Sequence, residues 1–539
     1  MAIIETSVRT ASPQFAHNRA AMESLLDRVS ALQARARDAS NAARARFEKR
    51  GQLLPRDRLG LLLDRGAPFL ELCSLAGYRL NNPDPEKSVP GGGLIAGIGE
   101  VSGVRCMILA NDSGIDAGAL QPMGLNKHLR IQEIALRCNL PYIQLVESAG
   151  ANLMNYRVEE FVAGGQLFAN LARMSARGIP IVTITHGSST AGGAYQTGLS
   201  DFVIMVRGRT RAYLAGPPLL KAATGEVATD EELGGAEMHT AISGLGDLLA
   251  KDDREAIGLA RALMAHVGPA VALPSSVRKT PQPPHYDPED MLGIMAIDGR
   301  TPTDMREVIA RIVDGSDFLE IGDRYGAFTV CGYASIDGWP VGIITNNGPI
   351  DADGAAKATH FIQSCCQSGT PLVYLQNITG YMVGRSHEER GIIKHGAKMI
   401  QAVANASVPQ ITIQCGASFG AGNYGMCGRG FGPHFLFSWP SARTAVMGGQ
   451  QAADTMVYVT EAAMVRKGNI DKQKLEEMHG AIIDMFDRQM DVFTTSAHVL
   501  DDGVIDPRQT RDVIALALDV CRVGKQRAMQ PMQFGVARP

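Results

Sequence analysis

The chain has 539 residues, of which 45% are hydrophobic and 20% charged, and its formal net charge is −3 at pH 7. This composition is typical of a soluble globular protein, and the nearly balanced charge argues against nucleic acid as the main partner. No apolar run approaches the roughly 20 residues that cross a bilayer, and the first residues lack a secretory pattern, so we expect a cytoplasmic protein without membrane contact.

The first element predicted along the chain is a helix. Residues 22–47 are rich in Ala, Arg and Leu, which is typical of an amphipathic helix. We therefore predict an N-terminal helical extension over residues 1–58. A proline-rich stretch at 274–290 then breaks helix and strand patterns alike. It predicts a boundary between two domains, 59–285 and 286–539, each large enough to bury its own core.

The two predicted domains carry similar segments in the same order. In both, short β-branched runs alternate with helix-like stretches, which predicts α/β domains with mostly parallel strands. The corresponding segments are 63–71 and 313–320, 104–112 and 341–347, 127–138 and 355–368, and 139–148 and 369–377. Their shared order predicts a tandem duplication of one α/β domain.

A glycine-rich loop follows a buried-strand pattern in each half. The loops read GSSTAGGAY at 187–195 and GASFGAGNY at 416–424. Glycine and other small residues let backbone N–H groups stand clear of side chains and point at a substrate oxygen. The repeated loop therefore predicts two anion-stabilising sites in one protein.

Other chemical interpretations of the residues have less support. Residues 416–420 fit the Gly-x-Ser-x-Gly pattern of a hydrolase nucleophile, with Ser418 at its centre, but the equivalent segment 187–191 does not. The nine cysteines are scattered without a Cys-x-x-Cys pair, so no metal site is expected. Three side chains are candidates for acid–base or phosphate chemistry, with an ordinary core or surface role as the alternative: His186, His395 and Lys221.

Short motifs in both halves resemble the carboxyltransferase β subunits of acyl-CoA carboxylases. In the first half these are STAGGAY at 189–195, LAGPP at 214–218, AATGE at 222–226 and the Gly pair at 234–235. In the second half they are QNITGYMVG at 376–384, KHGAK at 394–398, GAGNYGM at 420–426 and VMGG at 446–449. The resemblance implies two tandem crotonase-like (ClpP/crotonase) domains, the first binding acyl-CoA and the second biotin.

The resemblance also implies roles for the two loops. Gly192 and Gly193 would stabilise the thioester oxygen of acyl-CoA, and Ala421 and Gly422 the ureido oxygen of biotin. CO₂ would pass from carboxybiotin to the γ-carbon of a 3-methyl-branched enoyl-CoA, and charge would develop on both oxygens, so two sets of donors are useful. Biotin itself can take the substrate proton, so no side-chain base is required. The other implied site residues are Ala151, Gly164, Gly165, Ala191, Ala194 and Tyr195 for the substrate, and Phe419, Gly420, Asn423 and Tyr424 for biotin.

Within this family the string at 420–429 is similar to the methylcrotonyl-CoA and geranyl-CoA carboxylase branch. The chain departs from the methylcrotonyl pattern at several positions. Ser189 stands where a Cys is usual, QTGL at 196–199 replaces VPAM, and Gly164-Gly165 replaces a Phe-Gly pair. Loss of an aromatic side chain beside an acyl pocket frees space for a longer chain. We therefore expect geranyl-CoA as the substrate, with 3-methylcrotonyl-CoA, from leucine breakdown, as the alternative.

The sequence contains neither a Met-Lys-Met biotinylation motif nor a Walker-type phosphate loop. A separate biotinylated biotin-carboxylase α subunit is therefore expected as the partner that supplies carboxybiotin. The resemblance further implies a homo-oligomer, a β6 core within an α6β6 assembly. Two rival functions stay open from the residues: a crotonase-like hydratase or thioesterase, and a non-catalytic assembly scaffold.

Overall fold

The computed structural model describes residues 3–119, 121–148, 158–267, 278–297, 301–466 and 471–526. In this part of the chain the strands are β1 (Leu70–Glu71), β2 (Leu94–Val101), β3 (Val104–Asn111), β4 (Tyr142–Ser148), β5 (Ile181–Thr190), β6 (Phe202–Val206), β7 (Arg211–Tyr213), β8 (Leu248–Ala250), β9 (Leu319–Glu320), β10 (Thr329–Ile336), β11 (Trp339–Asn346), β12 (Leu372–Ile378), β13 (Gln410–Phe419), β14 (Phe435–Ser438) and β15 (Arg443–Ala445).

The helices in the same ranges are α1 (Pro13–Asn41), α2 (Arg44–Lys49), α3 (Pro55–Leu62), α4 (Pro122–Arg137), α5 (Val158–Ala176), α6 (Gly192–Gly198), α7 (Pro217–Thr224), α8 (Asp230–Gly234), α9 (Ala236–Met238), α10 (Asp253–Val267), α11 (Met291–Ile294), α12 (Arg306–Ile312), α13 (Ala352–Ser368), α14 (Arg385–Glu389), α15 (Ile392–Ala404), α16 (Gly420–Gly425), α17 (Gly449–Arg466), α18 (Lys472–Met490), α19 (Val492–Ala497) and α20 (Thr510–Gln526). The fold is mixed α/β, as the sequence predicts. No helix in the described ranges is both long and apolar enough to cross a bilayer.

The chain divides into two compact units. The N-terminal unit contains Ser30–Leu273, Ala497–Val499 and Val520–Pro539, and the C-terminal unit contains Met1–Val29, Pro274–Ser496 and Leu500–Asp519. The predicted helical extension is thus divided after Val29, and the change of unit near residue 274 precedes the predicted boundary at 286. The limits of independently folding domains stay a prediction.

The two units contain sheets of the same topology. In the described residues, the N-terminal unit holds an eight-stranded sheet in the order β1-β2-β3-β4-β5-β6-β8, with β7 paired beside it to β5. The C-terminal unit holds a seven-stranded sheet in the order β14-β13-β12-β11-β10-β9, with β15 paired to β13. In each sheet the first three strands along the chain pair antiparallel and the following neighbours pair parallel. This correspondence confirms the predicted duplication, with β8 as the added strand.

Helix α13 shows how local sequence sets an element's ends. The side chain of Asp351 accepts a hydrogen bond from the N–H of Gly354 (2.7 Å) and caps the first turn. Gly369 ends the helix with φ of +71°, a conformation that favours glycine. Between these ends, Ala355, Ala358, Phe361, Ile362 and Cys365 recur at helical spacing and are buried. The predicted helix at 355–368 is confirmed, with its start three residues earlier.

Each sheet buries its central strands against helices. In the N-terminal unit the apolar core joins β2 to β6 with α3 and α10. In the C-terminal unit it joins β10 to β12 with α13 and α15. Burial on both faces explains why these parallel strands read as continuous apolar runs. Both glycine-rich loops therefore leave a rigid sheet at the carboxyl end of a central strand, β5 or β13.

Candidate active site

The first glycine-rich loop joins β5 to α6. Strand β5 ends at Thr190 and α6 begins at Gly192. Between them, Ala191 has φ of +53° and donates its N–H to the carbonyl oxygen of Tyr213 (3.1 Å). Gly193 is buried, Gly192 half-buried and Ala191 exposed. The first N–H groups of a helix have no partner within it, and none of the described side chains caps α6. The turn thus offers backbone donors to a ligand oxygen.

Packing around Gly193 is close, and Gly192 has room for a Cβ at ordinary contact distance. A Cβ on Gly193 would lie 3.3 Å from the Oγ of Ser189, and one on Gly192 would lie 3.5 Å from the ring of Phe168. The hydroxyl of Thr197 donates to the carbonyl oxygen of Gly193 (3.3 Å) and lies 3.1 Å from the Oγ of Ser189. Ser189 and Thr197 therefore pack behind Gly193, where a larger side chain at 193 would press on Ser189.

The second glycine-rich loop joins β13 to α16 and is packed more tightly. Gly420 has φ of +55°, and none of the described side chains caps α16. Ala421 is exposed, whereas Gly422 is buried. A Cβ on Gly422 would lie 2.6 Å from the Cγ1 of Ile378 and 3.0 Å from the Cα of Gly380. Only glycine fits at that position without movement of the neighbouring backbone.

A chain of side-chain hydrogen bonds runs along the buried side of the second loop. Asn423 donates from its Nδ2 to the Oγ of Ser418 (2.7 Å), and Ser418 donates to the Oε1 of Gln376 (2.6 Å). Gln376 in turn donates to the carbonyl oxygen of Met426 (2.7 Å). Ser418 is fully buried and held by these bonds, which argues against a role as a hydrolase nucleophile.

Aromatic side chains flank both loops. Tyr195 is 52% exposed and meets Phe168 edge-to-face at 5.9 Å between ring centroids. Tyr424 is 51% exposed and lies tilted against Phe431 at 5.8 Å. Phe419, at the end of β13, is half-buried. Each loop therefore carries an aromatic surface that a bound group can contact.

The glycine pair on α5 leaves open space beside the first loop. Gly164 and Gly165 precede Phe168 by one helical turn and share its face of α5. A Cβ on Gly164 would have Leu125 as its nearest neighbour, at 4.0 Å, and one on Gly165 would meet no described atom within 4 Å. Since Phe168 contacts Gly192, this open face adjoins the loop.

The other residues named in the sequence analysis lie on helices or outside the described residues. Ala194 is half-buried on α6, and Ala151 lies outside the described residues. Lys221 is exposed on α7, and His395 is half-buried on α15. The roles assigned to them stay predictions.

A buried polar network behind the first loop was not predicted from the sequence. His186 is fully buried, and its Nδ1 lies 2.7 Å from the Oδ1 of Asp253. Burial, together with the charge of Arg58, lowers the pKa of His186, which favours the neutral ring. Burial raises the pKa of Asp253, but the hydrogen bond with His186 and the charge of Arg58 outweigh it and lower the pKa. Glu147, a charged residue at the end of a buried strand, was the one sequence signal for this network.

Comparison with known proteins fits this geometry. The model of the carboxyl transferase domain family matches residues 46–534. The chain is 46% identical over 479 residues to the mitochondrial methylcrotonoyl-CoA carboxylase beta chain of Dictyostelium discoideum, covering 88% of this chain and 80% of that protein. It is 46% identical over 500 residues to a probable biotin-dependent acyl-coenzyme A carboxylase beta2 subunit of Mycobacterium tuberculosis, covering 92% of each.

A solved structure is similar over the whole chain. The beta subunit of geranyl-CoA carboxylase from P. aeruginosa superposes with a TM-score of 0.91 at 47% identity, covering 99% of this chain and 100% of that one. The match confirms the predicted crotonase-like carboxyltransferase fold. It also favours carboxyl transfer over the hydratase, thioesterase and scaffold readings. The chain belongs to the carboxyl transferase family.

Proposed function

We propose that this chain is the carboxyltransferase β subunit of a biotin-dependent acyl-CoA carboxylase, with geranyl-CoA as its preferred substrate. One observation carries the proposal: the two halves present backbone donors on loops of matching geometry, each at the carboxyl end of a central strand. Carboxyl transfer between two carbonyl-containing groups develops negative charge on two oxygens, and so uses both loops.

The first loop would bind the acyl-CoA thioester. The N–H groups of Gly192 and Gly193 would donate to its carbonyl oxygen when the γ-proton leaves and charge spreads onto that oxygen. Each preorganised donor is worth about 3 kcal/mol in such a site. Ala191, Ala194 and Tyr195 surround the donors and present apolar surface to the acyl group. No side-chain base is required of the loop, and its small residues offer none.

The second loop suits the ureido ring of biotin, which is neutral and has one carbonyl oxygen. No residue of 419–424 carries a charged side chain, and the turn exposes Ala421 and the ring of Tyr424. The N–H groups of Ala421 and Gly422 would donate to the ureido oxygen, with Phe419, Gly420, Asn423 and Tyr424 around them. Carboxybiotin, carried on a partner subunit, would supply the carboxyl group.

Open space on α5 supports a long acyl chain. Among the described residues, Gly164 and Gly165 leave open the face of α5 that adjoins Phe168 and the first loop. A geranyl group has five more carbons than a 3-methylcrotonyl group and needs such a channel. The similar structure named for geranyl-CoA carboxylase agrees with this choice. The relatives named for methylcrotonoyl-CoA carboxylase keep 3-methylcrotonyl-CoA as the alternative substrate.

Exposed apolar residues around both loops support an oligomer. Tyr195 and Leu214 flank the first loop and are 52% and 60% exposed, and Tyr424 and Val446 flank the second at 51% and 73%. Such patches on a soluble protein mark interaction surfaces. We assign them to other copies of this chain, in the predicted β6 core, and the biotinylated α subunit to the outside of that core.

The test is ATP-dependent fixation of labelled bicarbonate by this chain, reconstituted with the biotinylated α subunit of a geranyl-CoA carboxylase. The proposal expects a higher kcat/KM on geranyl-CoA than on 3-methylcrotonyl-CoA. Turnover on 3-methylcrotonyl-CoA alone would overturn the substrate assignment. Absence of fixation on every acyl-CoA, with an α subunit shown to carboxylate its biotin, would overturn the function.

A further inference from the structure

Glu147 faces an irregularity in the sheet directly before the first loop. Strands β4 and β5 pair at Val146 with Thr185 and next at Ser148 with Ser189. Glu147 alone therefore stands opposite residues 186–188 of β5. Such a bulge redirects a strand and re-aims the residues that follow. Here the residues that follow are those of the acyl-CoA loop.

The backbone of the bulge packs against the Glu147 side chain. A Cβ on Gly187 would lie 2.8 Å from both the Cγ and the Oε1 of Glu147. Real Cβ contacts are longer, so a side chain at 187 would displace either the carboxylate or the strand. The position of the Glu147 side chain and the path of the bulge are thus mechanically linked.

Three buried donors fix the Glu147 carboxylate. Arg58 donates from Nη1 to Oε2 (2.6 Å), Ser113 donates its hydroxyl to the same oxygen (2.8 Å), and Gln52 donates from Nε2 to Oε1 (3.2 Å). Gln52 Nε2 also lies within reach of the carbonyl oxygen of His186 (3.3 Å). The same amide therefore touches the carboxylate and the bulge backbone.

Asp253 holds the arginine from its other side. Arg58 donates from Nε to the Oδ2 of Asp253 (3.2 Å), and the N–H of Leu53 donates to the same oxygen (2.7 Å). The Arg58 and Asp253 side chains are only 1% and 2% exposed. A buried arginine between two carboxylates cannot easily change its rotamer, because each alternative would leave a charge unpaired.

In the C-terminal unit, an uncharged side chain packs against the equivalent bulge. Strands β12 and β13 pair at Gln376 with Gln414 and next at Ile378 with Ser418, so Asn377 stands opposite residues 415–417. Its Oδ1 accepts a hydrogen bond from the N–H of Ala417 (3.3 Å) and would lie 2.6 Å from a Cβ on Gly416. Both sheets therefore support their loop by a side chain packed against a glycine of the bulge.

We propose that Glu147 is the positioning residue of the acyl-CoA loop: through Gly187 it sets the bulge that aims the N–H groups of Gly192 and Gly193. Asn377 does the same for the second loop. This inference rests on the proposed function. It adds that Glu147 affects the acyl-CoA half of the reaction and Asn377 the biotin half. Glu147 touches neither substrate nor donor and acts through the backbone.

A double-mutant cycle tests the link between Glu147 and Gly187. In the reconstituted carboxylase, Gly187→Ala and Glu147→Ala should each lower kcat on the acyl-CoA by about 100-fold, the cost of a donor displaced by about 1 Å. The double variant should also lose about 100-fold, because the added methyl no longer meets the Glu147 side chain. The KM for the biotinylated α subunit should stay unchanged in all three.

A half-buried ion pair in the same unit gives a control. Arg56 and Glu71 form a bidentate pair at 2.9 and 2.8 Å. Glu71→Gln should lower the melting temperature and leave kcat unchanged. Asn377→Ala should lower kcat through the second loop and leave the KM for acyl-CoA unchanged.

Three outcomes would overturn the positioning role. The first is that the losses of kcat in Gly187→Ala and Glu147→Ala multiply in the double variant. The second is an equal loss of kcat in Glu71→Gln. The third is a loss of kcat that follows the melting temperature across the variants. Failure of the proposed function differs from all three, because the wild-type chain would then fix no bicarbonate with any acyl-CoA.

Discussion

Ala191 and Gly420 occupy equivalent positions in the two loops and share a positive φ, +53° and +55°. Each is the last residue before the proposed donors of its turn. Alanine rarely adopts this conformation, so the first loop stores strain that the second avoids. Strain held at this position by the surrounding structure is consistent with a backbone preorganised for binding.

Replacement of the strained alanine should stabilise the protein. Ala191→Gly removes strain of order 1–3 kcal/mol and adds chain entropy in the unfolded state worth about 0.5–1 kcal/mol. We expect a net gain of about 1 kcal/mol in the free energy of unfolding, with carboxylation retained. Chemical denaturation measures the gain. A loss of stability would show that the alanine methyl makes contacts that outweigh its backbone strain.

Side chains at the buried glycines should stop carboxyl transfer. Gly193→Val and Gly422→Val force the turn away from Ser189 and Ile378, and the loss of one donor costs about 10²–10³ in kcat. The oligomer should stay intact on size-exclusion chromatography. Gly60→Ala is the control, because a Cβ there meets no described atom within 4 Å on the exposed side of α3. Unchanged turnover in either valine variant would remove that loop from the mechanism.

The open face of α5 predicts a change of substrate. Gly164→Phe should fill the space beside Phe168 and lower kcat/KM on geranyl-CoA at least tenfold, while 3-methylcrotonyl-CoA is retained or improved, since one pocket-filling group shifts discrimination by about 1–3 kcal/mol. Gly165→Ala, a far smaller change, serves as the comparison. If both substrates fell equally, the acyl chain would not lie along α5.

Asp501 predicts how stability depends on pH. The residue is fully buried, and burial raises its pKa to about 6, although Ser496 donates a hydrogen bond to its Oδ1 (2.9 Å). A raised folded-state pKa contributes stability at low pH that is lost as pH rises through about 6. Asp501→Asn should therefore stabilise the protein more at pH 8 than at pH 5, by about 1 kcal/mol in the free energy of unfolding. An equal effect at both pH values would show that Asp501 does not change its protonation between them.

The sequence predicts the repeated architecture well because local rules govern it. The strand patterns before both loops are β-branched and are followed by glycine, and this pattern needs no tertiary information. The helix predicted at 22–47 is observed as Pro13–Asn41 and Arg44–Lys49, since Ala and Arg are strong helix formers on either side of its ends. Ends of elements depend on caps and packing and are shifted by several residues.

The support behind the loops could not be predicted in the same way. Glu147 meets Arg58, which lies 89 positions earlier, and Arg58 meets Asp253, which lies 195 positions later. No periodicity links such distant residues, and Arg58 and Asp253 alone read as ordinary surface charges. Only the fold, which brings α3, β4 and the start of α10 together, shows that they form one buried network.

A crystal structure of the enzyme with geranyl-CoA and biotin bound tests the central claim most directly. The account predicts the thioester oxygen at 2.7–3.1 Å from the N–H groups of Gly192 and Gly193, and the ureido oxygen at the same distance from those of Ala421 and Gly422, as in other oxyanion sites. Carbonyl oxygens of both ligands lying beyond hydrogen-bonding distance of these groups would contradict it.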